Sequence, residues 1–219
     1  MYLTKQIIYG EHAINQLPIV AKQNDIKHIC VIYSASAMKD WQQQLNVALK
    51  EQNIEVTFYR MPKGEPTTNF LERCLQLVNG SKCDGIVAIG GGSALDLGKA
   101  VAALALNDGV ALSELVQMPS IKRLPFIAVP TTAGTGSEAT KVTVITDAAK
   151  GIKLNPGHPN LIPDIAILDP VLTLSVPNQI TAFTGIDALT HAIEAYVSTK
   201  ATILSDLYAL QAIEMITAN

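Results

Sequence analysis

Apolar positions along the chain follow two alternating textures. Three short runs are apolar almost throughout, residues 29–33 (ICVIY), 86–89 and 126–129, and they predict strands covered on both faces. Between such runs apolar residues recur three or four apart. Trp41, Leu45 and Leu49 predict a helix over 41–51, and Phe70, Leu71, Cys74, Leu75 and Val78 predict one over 69–79. A further helix is expected from Ser93 to about Leu106, and the β-rich segment 54–59 supplies one more strand. Strands interleaved with helices of this length imply parallel crossovers, so the fold class is α/β with a doubly wound parallel sheet.

The texture changes at Lys141. Segments 141–147 and 152–155 read as an extended pair around a turn at 148–151. Pro156, Pro159, Pro163, Pro170 and Pro177 then punctuate a loop-rich stretch with one short strand at 165–168. After Pro177 the pattern is helical, over 179–198 and 203–215. A boundary near Pro177 divides the chain into domains 1–177 and 178–219. No internal repeat or low-complexity segment interrupts this order.

Composition narrows the function classes. A chain of 219 residues with 48% hydrophobic content suits one large domain, or one ordinary domain and part of another. The net charge of −3, with scattered basic residues, argues against a nucleic-acid partner. No run approaches the roughly 18 apolar residues of a membrane span, and the start shows no signal-peptide core. Cys30, Cys74 and Cys83 form no CxxC motif and read as buried reduced thiols. A cytoplasmic globular protein is expected.

Candidate chemistry lies in three places. Gly90, Gly91, Gly92 and Ser93 follow a strand and open a helix, with Ser93 as N-cap and Asp96 as its capping-box partner. Side-chain-free residues at a helix N-terminus admit a pyrophosphate; a tight turn using glycine for geometry alone is the other reading. The sequence matches neither GxGxxG, which needs glycine at Leu95, nor the P-loop, which needs a hydroxyl at Ala100. A second loop, 129–138 (VPTTAGTGSE), also follows a strand and offers hydroxyl donors beside exposed backbone. Both loops would leave the carboxyl ends of parallel strands, where ligands bind.

The third place is the helix after Pro177. Ile180, Phe183, Ile186, Leu189, Ile193 and Val197 form an apolar stripe expected to be its buried face. Asp187 and His191, four apart, project together away from the centre of that stripe. They read either as a polar surface pair or as half of a divalent metal site suited to Zn²⁺ or Fe²⁺. His12 and His28 fit solvated element ends, and His158 fits a loop.

GGGSxxDxxK at 90–99, VPTTAGTGSE at 129–138, LIPDIAILDP at 161–170 and TGIDALTHAIEAYVS at 184–198 occur in one order over the chain. In these motifs the sequence resembles the iron-containing, group III alcohol dehydrogenases. The resemblance implies a Rossmann-like domain followed by the start of an all-helical second domain, with the active site between them. It implies that Gly91, Gly92, Ser93 and Asp96 hold the pyrophosphate of NAD or NADP, and that Thr131, Thr132, Thr135 and Lys153 contact the cofactor. It also implies that Asp187 and His191 are metal ligands, acting in catalysis through Fe²⁺ or Zn²⁺. The expected reaction is hydride transfer between a small alcohol and the nicotinamide, the metal polarising the substrate oxygen. A homo-oligomer, a dimer, is expected.

Two departures stand out. Ser34 occupies the place where many members carry an aspartate that accepts the ribose 2′-OH, so NADP(H) is expected to be accepted. No histidine follows His191, so the family's two downstream histidine ligands have no counterpart. The sequence therefore reads as a truncated N-terminal part whose activity is expected only in a longer chain. Alternatives are a polyol or glycerol-type dehydrogenase, a maleylacetate-type reductase or a dehydroquinate-synthase relative, and a fragment that binds nucleotide without turnover.

Overall fold

The computed structural model describes residues 3–34 and 42–218. Its order is β1 (Gln6–Tyr9), α1 (Leu17–Gln23), β2 (His28–Ser34), α2 (Gln42–Glu51), β3 (Glu55–Met61), α3 (Thr68–Gly80), β4 (Gly85–Gly90) and α4 (Gly92–Leu104). Then come β5 (Phe126–Pro130), the hairpin β6 (Ile145–Asp147) and β7 (Ile152–Leu154), β8 (Ile165–Leu168), α5 (Asn178–Val197) and α6 (Ile203–Thr217). Trp41, expected to start α2, lies outside the described residues. Six strands form a wholly parallel sheet in the order β1-β8-β5-β4-β2-β3.

The apolar runs have a simple cause. Alternate residues of each central strand enter different cores: Cys30, Ile32, Ile86, Ala88, Phe126 and Ala128 face one side, with α3 and α4. Ile29, Val31, Val87, Ile89, Ile127 and Val129 face the other, with α1 and α2. A strand with both faces covered leaves no position for a polar side chain. All three cysteines are buried and free. The Cys30 thiol is pushed up by hydrogen bonding with Cys74 and by burial, so the cluster behaves as apolar filling.

Two aspartates fasten β8. Asp164 at its start accepts from Lys5 Nζ at 2.7 Å, Arg123 Nη1 at 2.5 Å and the Phe126 N–H at 3.0 Å. Asp169 at its end is 2% exposed and accepts the N–H groups of His12, Ile14 and Val171 at 3.0–3.2 Å. Residues 6–14 are thereby tied to residues 164–171.

Beyond Pro177 the helices match the expected positions, but the burial does not. Ile180, Phe183, Ile186, Ile193 and Val197 are 41–70% exposed, and Ala192 is the one buried residue of α5 among those described. The physical reason is that α5 packs chiefly against α6, and α6 shows Ile203, Leu207, Tyr208 and Leu210 to solvent as well.

Candidate functional site

The site begins where β4 ends. Gly91 caps α4 and the helix starts at Gly92, so Ser93 sits inside the first turn and makes no capping bond. The expected Ser93–Asp96 capping box is thus corrected. Asp96 finds donors elsewhere. The Ala94 and Leu95 N–H groups donate to the Gly91 carbonyl at 3.0 and 3.3 Å, which leaves those of Gly92 and Ser93 available with the positive end of the helix dipole. Beside this turn runs the threonine-rich loop after β5, where the Thr131 N–H donates to the Gly90 carbonyl at 2.9 Å. The two loops touch closely. A Cβ on Gly92 would lie 2.9 Å from Thr135 Cγ2, and one on Gly91 would lie 3.3 Å from Thr132 Oγ1. The glycines are therefore needed for loop–loop contact as well as for room at the helix terminus.

A cleft of about 570 Å³ opens above this junction. Ser34, Gly91, Ser93, Thr131 and Thr132, all expected at a cofactor, line it together with Lys63, and Pro177 and Ile180 close one side. Thr132 Oγ1 is buried without a hydrogen-bond partner among the described residues. Such an atom costs about 1–3 kcal/mol unless a ligand or water satisfies it. An unpartnered hydroxyl on a lining residue, a turn without side chains and a helix N-terminus at one cleft fit the pyrophosphate and ribose of a dinucleotide. Lys63 was not singled out in the sequence. Its only signal is position, two residues past the end of the strand beside β2.

Gly92, Asp96, Thr135 and Lys153 do not line the cleft. Asp96 accepts from Ser137 Oγ at 2.7 Å and from the Val144 N–H at 3.0 Å. One turn on, Lys99 is 1% exposed and donates to Thr140 Oγ1 at 2.9 Å and the Val142 carbonyl at 2.7 Å, with Asp96 3.7 Å away. These bonds stitch α4 to the segment that continues the threonine loop. Burial governs the electrostatics. It lowers the Lys99 ammonium to about 8 despite Asp96, and raises the Asp96 and Glu138 carboxyls. Lys153, on β7, bonds Glu65 Oε1 at 2.7 Å on the surface.

Asp187 and His191 meet on α5, with Oδ1 and Nε2 3.6 Å apart and each side chain about half exposed (46% and 53%). The donor types suit a divalent cation. No group of three or more histidine, cysteine or carboxylate residues converges among the described residues. Two donors fall short of the three protein ligands that catalytic sites use, so the pair by itself does not fit a resident catalytic metal. The threonine loop touches the same helix: a Cβ on Gly134 would collide with the Thr184 carbonyl.

The other histidines do not line the cleft. His158 is buried; its Nε2–H donates to the Met118 carbonyl and its Nδ1 accepts from the Asn160 N–H. His28 is 20% exposed, less solvated than expected, with its ring 2.8 Å from Thr57 Oγ1. His12 is exposed with a left-handed backbone, φ 59°.

A wholly parallel sheet with a glycine turn and a cleft at its carboxyl edge defines a Rossmann-like α/β domain. Residues 4–170 match the family described as "Iron-containing alcohol dehydrogenase", and residues 181–219 match "Fe-containing alcohol dehydrogenase family, C-terminal"; the chain belongs to this family. It is 49% identical over 173 residues to "Probable alcohol dehydrogenase EutG" of Escherichia coli, a match covering 78% of this chain and 44% of that protein. Its fold resembles the crystal structure of a 1,3-propanediol oxidoreductase with TM-score 0.93 and 31% identity, over all of this chain and 59% of that one. It also resembles sulfoacetaldehyde reductase from Bifidobacterium kashiwanohense in complex with NAD⁺, with TM-score 0.88 and 30% identity over 98% and 57% of the two chains. The chain spans about half the length of the relatives it matches.

Proposed function

We propose that the chain is the nucleotide-binding part of an NAD(P)-dependent alcohol dehydrogenase. It would interconvert a small alcohol and its aldehyde or ketone. Residues 1–177 would form the cofactor domain, and 178–219 the first helices of a metal- and substrate-binding domain. The observation that carries the reading is the buried, unpartnered hydroxyl of Thr132, a residue that lines the cleft beside the Gly91 turn. In this reading the N–H groups of Gly92 and Ser93, at the start of α4, hold the pyrophosphate. Thr131 and Thr132 orient the nicotinamide half, while Thr135 and the Asp96–Lys99 network keep the loop that carries them against α4. Lys153 would reach the cofactor only by leaving Glu65.

The threonine loop and α5 would hold the alcohol at the edge of this cleft, where a bound nicotinamide would supply the hydride acceptor. Asp187 and His191 would contribute two ligands to an Fe²⁺ or Zn²⁺ ion, whose chemistry there is Lewis-acid polarisation of the substrate oxygen. Their two-donor geometry also favours a second reading, nucleotide binding without turnover. Titration of the chain with NADH and NADPH tests the cofactor claim. Binding should be measurable, and Thr132→Val should weaken it about five- to twentyfold, the usual effect of losing a hydrogen bond to a bound group. Undiminished binding in that variant would refute the assignment. Alcohol-dependent NAD(P) reduction with Fe²⁺ or Zn²⁺ added separates turnover from binding alone.

A further inference from the structure

The cleft has two ends, and the one toward β2 and β3 carries its own chemistry. The sheet order places β2 beside β4 and β3 beyond it, so the cleft extends outward from the Gly91 turn past Ser34 to the residues after β3. Ser34 and Met61 are register partners at the carboxyl ends of their strands, and Lys63 follows two residues later. Both Ser34 and Lys63 line the cleft. The Ser34 hydroxyl lies against Gly90, where an added Cβ would come within 2.9 Å of it. No aspartate or glutamate lines this cleft among the described residues, and Lys63 makes no ion pair among them. The nearest carboxylate in sequence, Glu65, is bonded to Lys153.

In a doubly wound domain, the end of the strand beside the glycine turn faces the ribose 2′ position of the adenosine half. A carboxylate there accepts the 2′-OH; a hydroxyl with an ammonium nearby favours a phosphate monoester. We propose that Lys63, with Ser34, forms the recognition site for the 2′-phosphate of NADP(H), which makes Lys63 a specificity-determining residue. The inference rests on the cofactor reading above and adds the choice between the two nucleotides. Lys63 is exposed, so its ion pair with the phosphate acts through a partly solvated contact and weakens with added salt.

The test is equilibrium titration of the purified chain with NADPH and with NADH, followed by nicotinamide fluorescence at low and high ionic strength. The quantity read is the ratio of the two affinities, which a general loss of fold leaves unchanged. Wild-type protein should favour NADPH, more so at low salt. Lys63→Met should lower the NADPH:NADH ratio by roughly three- to tenfold and flatten its salt dependence, within the range of a partly solvated ion pair. Lys63→Arg should keep the preference, and Ser34→Asp should reverse it. A ratio unchanged in Lys63→Met, or a wild-type protein that binds NADH and ignores NADPH, overturns the proposal. If neither nucleotide binds, the cofactor reading itself falls, and this inference with it.

Discussion

Lys99 shows how a side chain inside the core can serve a site it never touches. Its ammonium spans from α4 to residues 140–142 and pays for that position in hydration, which burial registers as a pKa near 8. The sign of the linkage follows. Between about pH 8 and pH 10.5 the unfolded chain holds a proton on this lysine that the folded chain has released, so stability rises with pH in that window. Comparing wild type with Lys99→Met by urea denaturation, the difference should move in favour of wild type by on the order of 2 kcal/mol from about pH 8 to pH 10. A flat difference would show that Lys99 is solvated. The residue scale is also where the sequence was least informative. GGGS and the threonine loop announce a phosphate-type turn, yet the spacing between Ser93 and Asp96 suggests a capping box. The partners that claim Asp96, Ser137 and Val144, lie more than forty residues away. Local spacing cannot show a contact made across a crossover connection.

Elements were legible where both of their faces are buried. Strands β2, β4 and β5 read correctly because two cores leave them no polar positions, and α3 read correctly because its stripe meets one core. β1 and α1 were not predicted from the pattern. β1 is a four-residue edge strand with Ile7 and Tyr9 exposed, and α1 is a seven-residue helix opening on Leu17-Pro18. The segment between them is held by Asp169. Asp169→Ala would leave three N–H groups without their acceptor, and a loss of about 2–4 kcal/mol is expected in thermal or urea unfolding. A loss below about 0.5 kcal/mol would mean that water replaces the carboxylate. The opposite case is the pair α5 and α6, where sequence pattern located the helices but not their neighbours. Their exposed apolar surface should make the chain self-associate, consistent with the dimer expected from the family. Sedimentation should show a mass that increases with concentration, and Leu207→Lys should shift it toward the monomer; a wild-type chain monomeric at all concentrations would refute this.

At the scale of the molecule, the family, the parallel sheet and the glycine–threonine cleft agree, while the metal pair has two donors. With two donors brought together among the described residues, the chain should hold Zn²⁺ or Fe²⁺ weakly. After dialysis, metal analysis should find substoichiometric content, and His191→Ala should change it little. Tight stoichiometric metal would overturn the two-donor description. The sheet order has one more consequence, for the order of assembly. β1 pairs with β8, matching Gln6 with Ile165 and Tyr9 with Leu168. During synthesis β1 is made well before β8, the strand it pairs with. The ribosome thus releases early a short apolar segment, Ile7-Ile8-Tyr9, whose lasting partner arrives some 160 residues later. Their pairing is a long-range closure, the kind of contact that slows folding and leaves apolar strand exposed in the meantime.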